Sequence, residues 1–174
     1  MKFILSLFLF LFSTIEIKAD NADAIVLFAK SKIGCGYVWG AEGQVLTESS
    51  LDSLYNQSPD NVDKNVVSKW MGRQVYDCSG FVMKAFETIG ISLIHNAEWA
   101  WEETNWASKG EIANLPQDKV CILYRYSADK GKMTHTGIYI GGSLFIHAKS
   151  SADGVVMEAM PYSWTHWGIP AGLY

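Results

Sequence analysis

The spacing of apolar residues divides this chain into three stretches. The first is a run from Phe3 to Phe12, interrupted only by Ser6 and preceded by Lys2. From Asn21 to about Ser108 the spacing is mostly helical, and beyond Lys119 it gives way to short runs dense in Val, Ile, Tyr and Phe. Asn21 to Ile33 places Ala24, Leu27, Phe28 and Ile33 at helical intervals and stops at Gly34. "GCGYVWG" follows as an aromatic loop punctuated by glycines. Ala41 to Gln74 is mixed, with short helix candidates in "SSLDSLYNQS" and "NVDKNVVSKWMG" on either side of Pro59.

The clearest helix begins at Cys78. Phe81, Val82, Ala85, Phe86 and Ile89 form a stripe at a period near 3.6, closed by Gly90. Asn96 to Ser108, rich in Trp and Glu, predicts a further helix ended by Gly110. Then "KVCILYRYS", "HTGIYIGG", "SLFIHAKS" and "GVVMEAM" predict strands, separated by the turn compositions "ADKGKM", "GG" and "SSADG". Helices first and consecutive strands afterwards predict an α+β fold, with N-terminal helices packed on a C-terminal antiparallel sheet.

The order Lys2, apolar run, small Ala19 before Asp20 predicts a secretory signal peptide over residues 1–19. A membrane span needs about 20 apolar residues, and Ser13, Thr14, Glu16 and Lys18 break this run early. The expected mature chain, residues 20–174, has the length of one domain. It is expected to be secreted, into the extracellular space or the lumen of the secretory or phagosomal pathway, and not to associate with a membrane once the signal is removed. The net charge of −4, without a Lys/Arg stripe, argues against nucleic acid as a partner. Three cysteines are too few for a disulfide framework, and an odd count in a secreted chain leaves a thiol over.

Cys78 reads in two ways. It lies on the apolar stripe of its helix, where free Cys is often buried. It also follows Asp77, a favoured N-cap residue, so it occupies the first helical position. There the unsatisfied N–H groups and the helix dipole favour a thiolate, whose reference pKa of about 8.5 falls to ~3.5–7.5 in such places. Gly80 is expected to leave the first turn open to a substrate backbone.

A cysteine nucleophile needs a base, and four histidines are available: His95, His135, His147 and His166. His135 and His147 are twelve residues apart around Gly141–Gly142. As a hairpin, alternation aims His135, Gly137 and Tyr139 to the same face as Phe145 and His147. One imidazole would accept the thiol proton while a second polar side chain orients it. A Cys–His–His zinc site is the competing reading, although neither H-E-x-x-H nor C-x-x-C occurs. A serine triad lacks its G-x-S-x-G elbow. His95 reads as a cap or surface residue, and His166 as a residue among aromatics. Trp99, Trp101, Trp106, Trp164 and Trp167 read as packing before sugar stacking.

The motifs "YVWG", "DCSGFV", "HTGIYIG" and "FIHA", in that order from about Asn21 to the C-terminus, resemble the NlpC-type family of papain-like cysteine peptidases, which cut bacterial peptidoglycan peptides. The resemblance implies a papain-like single domain and a γ-D-glutamyl–diamino-acid (meso-diaminopimelate) endopeptidase. It makes Cys78 the nucleophile, His135 the general base and His147 the orienting residue. Tyr37 and Trp39 of "YVWG", with Asp77 and Ser79, match positions that line the substrate site. The Cys78 N–H is one implied oxyanion donor. No cofactor and no metal is implied, the partner is the peptidoglycan stem peptide, and the expected state is a monomer. The chain departs from the family pattern in three places. Ala41 stands where a second glycine is usual, Ala41–Gln74 is a longer connection, and Cys121 occupies a usually apolar strand position. Two other readings stay open: a wall-binding module without catalysis, and an amidase or acyltransferase on the same fold. Cys35 is either a second thiol near the cleft or a partner of Cys121.

Overall fold

The computed structural model describes residues 20–174; the expected signal peptide lies outside them. Helix α1 (Asn21–Ser31) leads through β1 (Gly36–Tyr37) and β2 (Glu42–Val45) to α2 (Glu48–Gln57) and α3 (Lys64–Val67). Next come β3 (Gln74–Tyr76), α4 (Cys78–Glu87) and α5 (Ala97–Glu103). Six strands complete the chain: β4 (Trp106–Glu111), β5 (Cys121–Ser127), β6 (Lys132–Gly141), β7 (Leu144–Ser150), β8 (Gly154–Ala159) and β9 (His166–Pro170). They form an antiparallel sheet in the order β4-β9-β5-β6-β7-β8. The fold is α+β, as the patterning predicts.

Helix α4 is the central support. Its stripe is buried as expected, with Phe81, Ala85 and Phe86 fully inaccessible and Val82 nearly so. It packs on β6 and β7, with α1 alongside. Burying side chains of this size contributes roughly 1.5–3 kcal/mol each relative to exposure, which holds the first turn of α4 in register with the sheet. Helix α1 forms as predicted but turns a different face inward. Ala22, Ile25 and Ala29 are buried, whereas Leu27 is 73% exposed. The inner stripe runs at i, i+3 and i+7 from Ala22, and Leu27 lies off it.

The expected helix over Asn96–Ser108 stops at Glu103, and Gly110 lies inside a strand rather than ending a helix. Asn96 caps the helix, its side chain accepting hydrogen bonds from the backbone N–H groups of Glu98 and Trp99. From Trp106 onward the backbone pairs with β9, and a Cβ at Gly168 would collide with the Trp106 ring. Pairing with a distant strand overrides local helix preference here.

The connection from Ala41 to Gln74 is more than a pair of helices. It adds a three-stranded sheet, β1-β3-β2, in which β1 and β3 run parallel. Val38, Leu46, Leu51, Leu54, Val67, Trp70 and Val75 make a second core there. Thr47 and Ser50 close a capping box at the start of α2. Trp70 Nε1 donates to Ser151 O at 2.8 Å, tying this layer to the β7–β8 turn. Cys35, Cys78 and Cys121 are all free thiols, and Cys121 is fully buried in the main core.

Candidate active site

Asp77 caps α4 with its side chain, as the sequence predicts. Its Oδ1 accepts hydrogen bonds from Gly80 N (2.7 Å), Ser79 Oγ (3.0 Å) and His95 Nε2 (2.9 Å). Its Oδ2 accepts from Gly40 N at 2.9 Å, and its own N–H donates to Ala41 O at 2.7 Å. The carboxylate therefore pins the loop after β1, the first turn of α4 and the segment before α5 to one point. Ser79 is buried and spends its hydroxyl on Asp77.

His95 is a member of this cluster and not the cap or surface residue expected from its position. The hydrogen bond to Asp77 raises its pKa against the opposing effect of burial. Gly80 also differs from expectation. A Cβ there would run into Ala41 O and come within 3.0 Å of His95 Nε2, so the glycine lets protein backbone close in rather than a substrate.

Cys78 opens the helix and is only 6% exposed; the nearby backbone of Thr136, Ser79 and Cys78 itself favours its thiolate, but by less than burial opposes it. Thr136 directly follows His135, so the thiol meets β6 beside the expected base. Burial, reinforced by the Asp77 charge, pushes the Cys78 thiol up to about 12. This reverses the lowered pKa expected from the helix N-terminus: loss of water outweighs the helix dipole when the group is enclosed. Burial raises the Tyr37 pKa, and the nearby charges of Cys78 and Asp77 add to it.

The predicted hairpin brings His135 and His147 together. Tyr139 pairs with Phe145 across β6 and β7, and the turn runs through Gly141 and Gly142, both at positive φ. His135 Nε2 lies 2.8 Å from His147 Nδ1. Trp164 stacks on the His135 ring, with centroids 5.4 Å apart and planes within 11°. Gly137 makes room for this arrangement, since a Cβ there would lie 2.9 Å from His147 Cβ and 3.0 Å from Trp164. Burial pushes the His135 imidazole down to about 3, with His147 and the Arg125 guanidinium adding to the effect. Burial also lowers His147, against the opposing pull of Glu158. A neutral imidazole is the form that accepts a proton.

Trp39 is 42% exposed beside Gly40, outside the hydrogen bonds and ring contacts described for the other site residues. His166 belongs to an aromatic group with Trp101 and Tyr126. Sequence reasoning missed Arg125, which lies opposite His135 across β5 and β6. Its Nη1 is 3.4 Å from Ser163 Oγ, and among the described residues it makes no ion pair. Strand alternation places Arg125 on the face shared by His135, which is the signal that could have found it.

A model of the NlpC/P60 family matches residues 34–168. The probable endopeptidase p60 of Listeria grayi is 30% identical over 109 residues, covering 63% of this chain and 20% of that protein. The Escherichia coli K12 protein named murein DD-endopeptidase MepS/murein LD-carboxypeptidase is 35% identical over 89 residues, covering 49% of this chain and 43% of its own. The chain thus spans less than half the length of these curated relatives. The NlpC/p60 domain of the peptidoglycan hydrolase SagA superposes with a TM-score of 0.57 at 20% identity, over 85% of this chain and 97% of that domain. The peptidoglycan hydrolase RipB of Mycobacterium tuberculosis gives 0.59 at 18% identity, over 86% of this chain and 64% of RipB. The fold is shared across these structures, and with the family model covering most of its length, the chain belongs to the NlpC/P60 family.

Proposed function

We propose that this chain is a secreted, monomeric cysteine endopeptidase that hydrolyses peptidoglycan stem peptides at the γ-D-glutamyl–diamino-acid bond, meso-diaminopimelate being the diamino acid. The observation that carries this reading is the buried Cys78 thiol at the first turn of α4, a helix packed on the strand β6 that presents His135, whose ring is bonded in turn to His147. The Cys78 sulfur attacks the scissile carbonyl carbon as His135 takes the thiol proton. The tetrahedral oxyanion is met by the Cys78 N–H, one of the donors left free at a helix start. The C–N bond then breaks, His135 protonates the leaving amine, and water hydrolyses the thioester with His135 as base. His147 holds the His135 ring in orientation throughout.

Arg125 supports the choice of bond. A γ-linked glutamyl residue keeps a free α-carboxylate close to the scissile carbonyl, and Arg125 offers a guanidinium on the face of the base that makes no ion pair among the described residues and one long hydrogen bond to Ser163. Removal of residues 1–19 and secretion form part of the same proposal, supported by the charge-apolar-small order of the N-terminus. A second reading, a murein DD-endopeptidase activity, draws on the name of the Escherichia coli relative.

The test is digestion of purified peptidoglycan under reducing conditions by the wild type and by Cys78→Ala. Soluble peptides from the wild type alone are expected. Equal release by both, or release by neither, would sink the assignment.

A further inference from the structure

One charged side chain against the second histidine has no part in the mechanism above. Glu158 lies on β8, diagonally across from His147. Its Oε2 is 2.8 Å from His147 Nε2, and its Oε1 accepts a hydrogen bond from Lys149 Nζ at 2.7 Å. An ionised carboxylate only accepts hydrogen bonds, so the contact requires a proton on His147 Nε2. A neutral imidazole carries one N–H, which leaves His147 Nδ1 as a lone pair. That lone pair faces His135 Nε2 at 2.8 Å, so His135 Nε2 must be the donor. By the same count His135 Nδ1 carries no proton. It is the nitrogen left to receive one from the thiol. Reversing the chain of bonds would protonate His135 Nδ1 and remove its capacity as a base.

Two observations keep the polarity in this direction. Burial alone would raise the Glu158 pKa, but hydrogen bonds from Lys149 and His147 bring it below the ordinary value, so the carboxylate is ionised at neutral pH. His147 is buried and its pKa is lowered, so it is neutral there.

We propose that Glu158, anchored by Lys149, is a positioning residue that fixes the tautomers of His147 and His135 and so leaves His135 Nδ1 free to take the Cys78 proton. It rests on the reading of Cys78 and His135 as nucleophile and base. Glu158 touches neither thiol nor substrate and transfers no proton. It sets the direction of two hydrogen bonds, and its charge favours the imidazolium that forms on His135.

The test is long-range ¹H–¹⁵N NMR of the histidine rings in the labelled protein at about pH 7, which reads tautomers without any substrate. Both His135 and His147 are expected as Nε2–H tautomers. An Nδ1–H tautomer at His147 in the wild type overturns the proposal by itself. In Glu158→Gln and Glu158→Ala, the His135 signal is expected to move towards the Nδ1–H tautomer. Their kcat on a stem peptide is expected to fall about 10–100-fold, the range for lost outer partners of a functional histidine, with KM unchanged. Unchanged tautomers with kcat within about twofold of the wild type overturn it too. Should Glu158→Ala fail to fold, Glu158→Gln and the wild-type spectrum decide. The expected tautomers in a protein that cuts no stem peptide would uphold the relay while overturning the proposed function.

Discussion

Asp77 and His95 are joined by a 2.9 Å hydrogen bond at the first turn of α4, eighteen residues apart in sequence. The bond makes one carboxylate the junction of the YVWG loop, α4 and the segment before α5. His95→Ala removes a charge-assisted bond, expected to cost roughly 1.5–3 kcal/mol. The folded-state pKa of His95 is raised, so this stability is fully present below the unfolded value of 6.5 and is lost as pH rises through the folded value. The melting-temperature gap between wild type and His95→Ala should therefore be wider at about pH 6 than at about pH 9. An equal gap at both would show that His95 contributes packing alone.

His135 and His147 give the opposite pH dependence. His135 and His147 both have pKa values lowered by burial, so below about pH 6.5 the unfolded chain binds protons that the folded one refuses. Stability should fall as pH drops from about 6.5 towards the folded values, with a slope of up to ~1.4 kcal/mol per pH unit per histidine. Urea midpoints across this range should fall less steeply for His147→Asn than for the wild type. Parallel slopes would mean that His147 is protonated in the folded state.

The ligand-free protein should hold a neutral thiol and a neutral imidazole, because burial raises Cys78 and lowers His135. Iodoacetamide labelling of Cys78, read on its tryptic peptide to separate it from Cys35 and Cys121, should be slow near pH 6. It should climb by about tenfold per pH unit through the alkaline range. Fast labelling that is flat between about pH 5 and 8 would instead reveal a resting thiolate–imidazolium pair.

Arg125→Ala should raise KM for a γ-D-glutamyl stem peptide by about 10–100-fold, the equivalent of losing a hydrogen bond to a charged group, and should change kcat much less. Steady-state kinetics on peptides with a free or amidated glutamyl α-carboxyl make the check. The amidated peptide should bind the wild type about as weakly as the free one binds the variant. An unchanged KM would place the substrate carboxylate elsewhere.

Much of this site was legible because its determinants are local. The cap at Asp77, the stripe from Phe81 to Phe86 and the glycine turn between His135 and His147 each lie within about a dozen residues, where periodicity and turn chemistry operate. What was not legible depends on distant partners. Trp106 to Glu111 is strand only because β9 lies beside it, and the expected helix there ignored a pairing across some sixty residues. His95 gains its role from Asp77, and Gly80 from Ala41 O, neither of which spacing can announce. The thiol's direction of shift was misread for the same reason. The helix start is visible in sequence, whereas the enclosure that outweighs it is assembled by β6 and the YVWG loop.

The most direct measurement is mass spectrometry of the products from a defined L-Ala-γ-D-Glu–meso-diaminopimelate muropeptide treated with the wild type and with Cys78→Ala. One cleavage by the wild type is expected, yielding a fragment that ends in γ-D-Glu and one that begins with a free diaminopimelate amine, and an intact substrate with Cys78→Ala. Cleavage by the alanine variant, or wild-type products broken at any other bond, would contradict the proposed function.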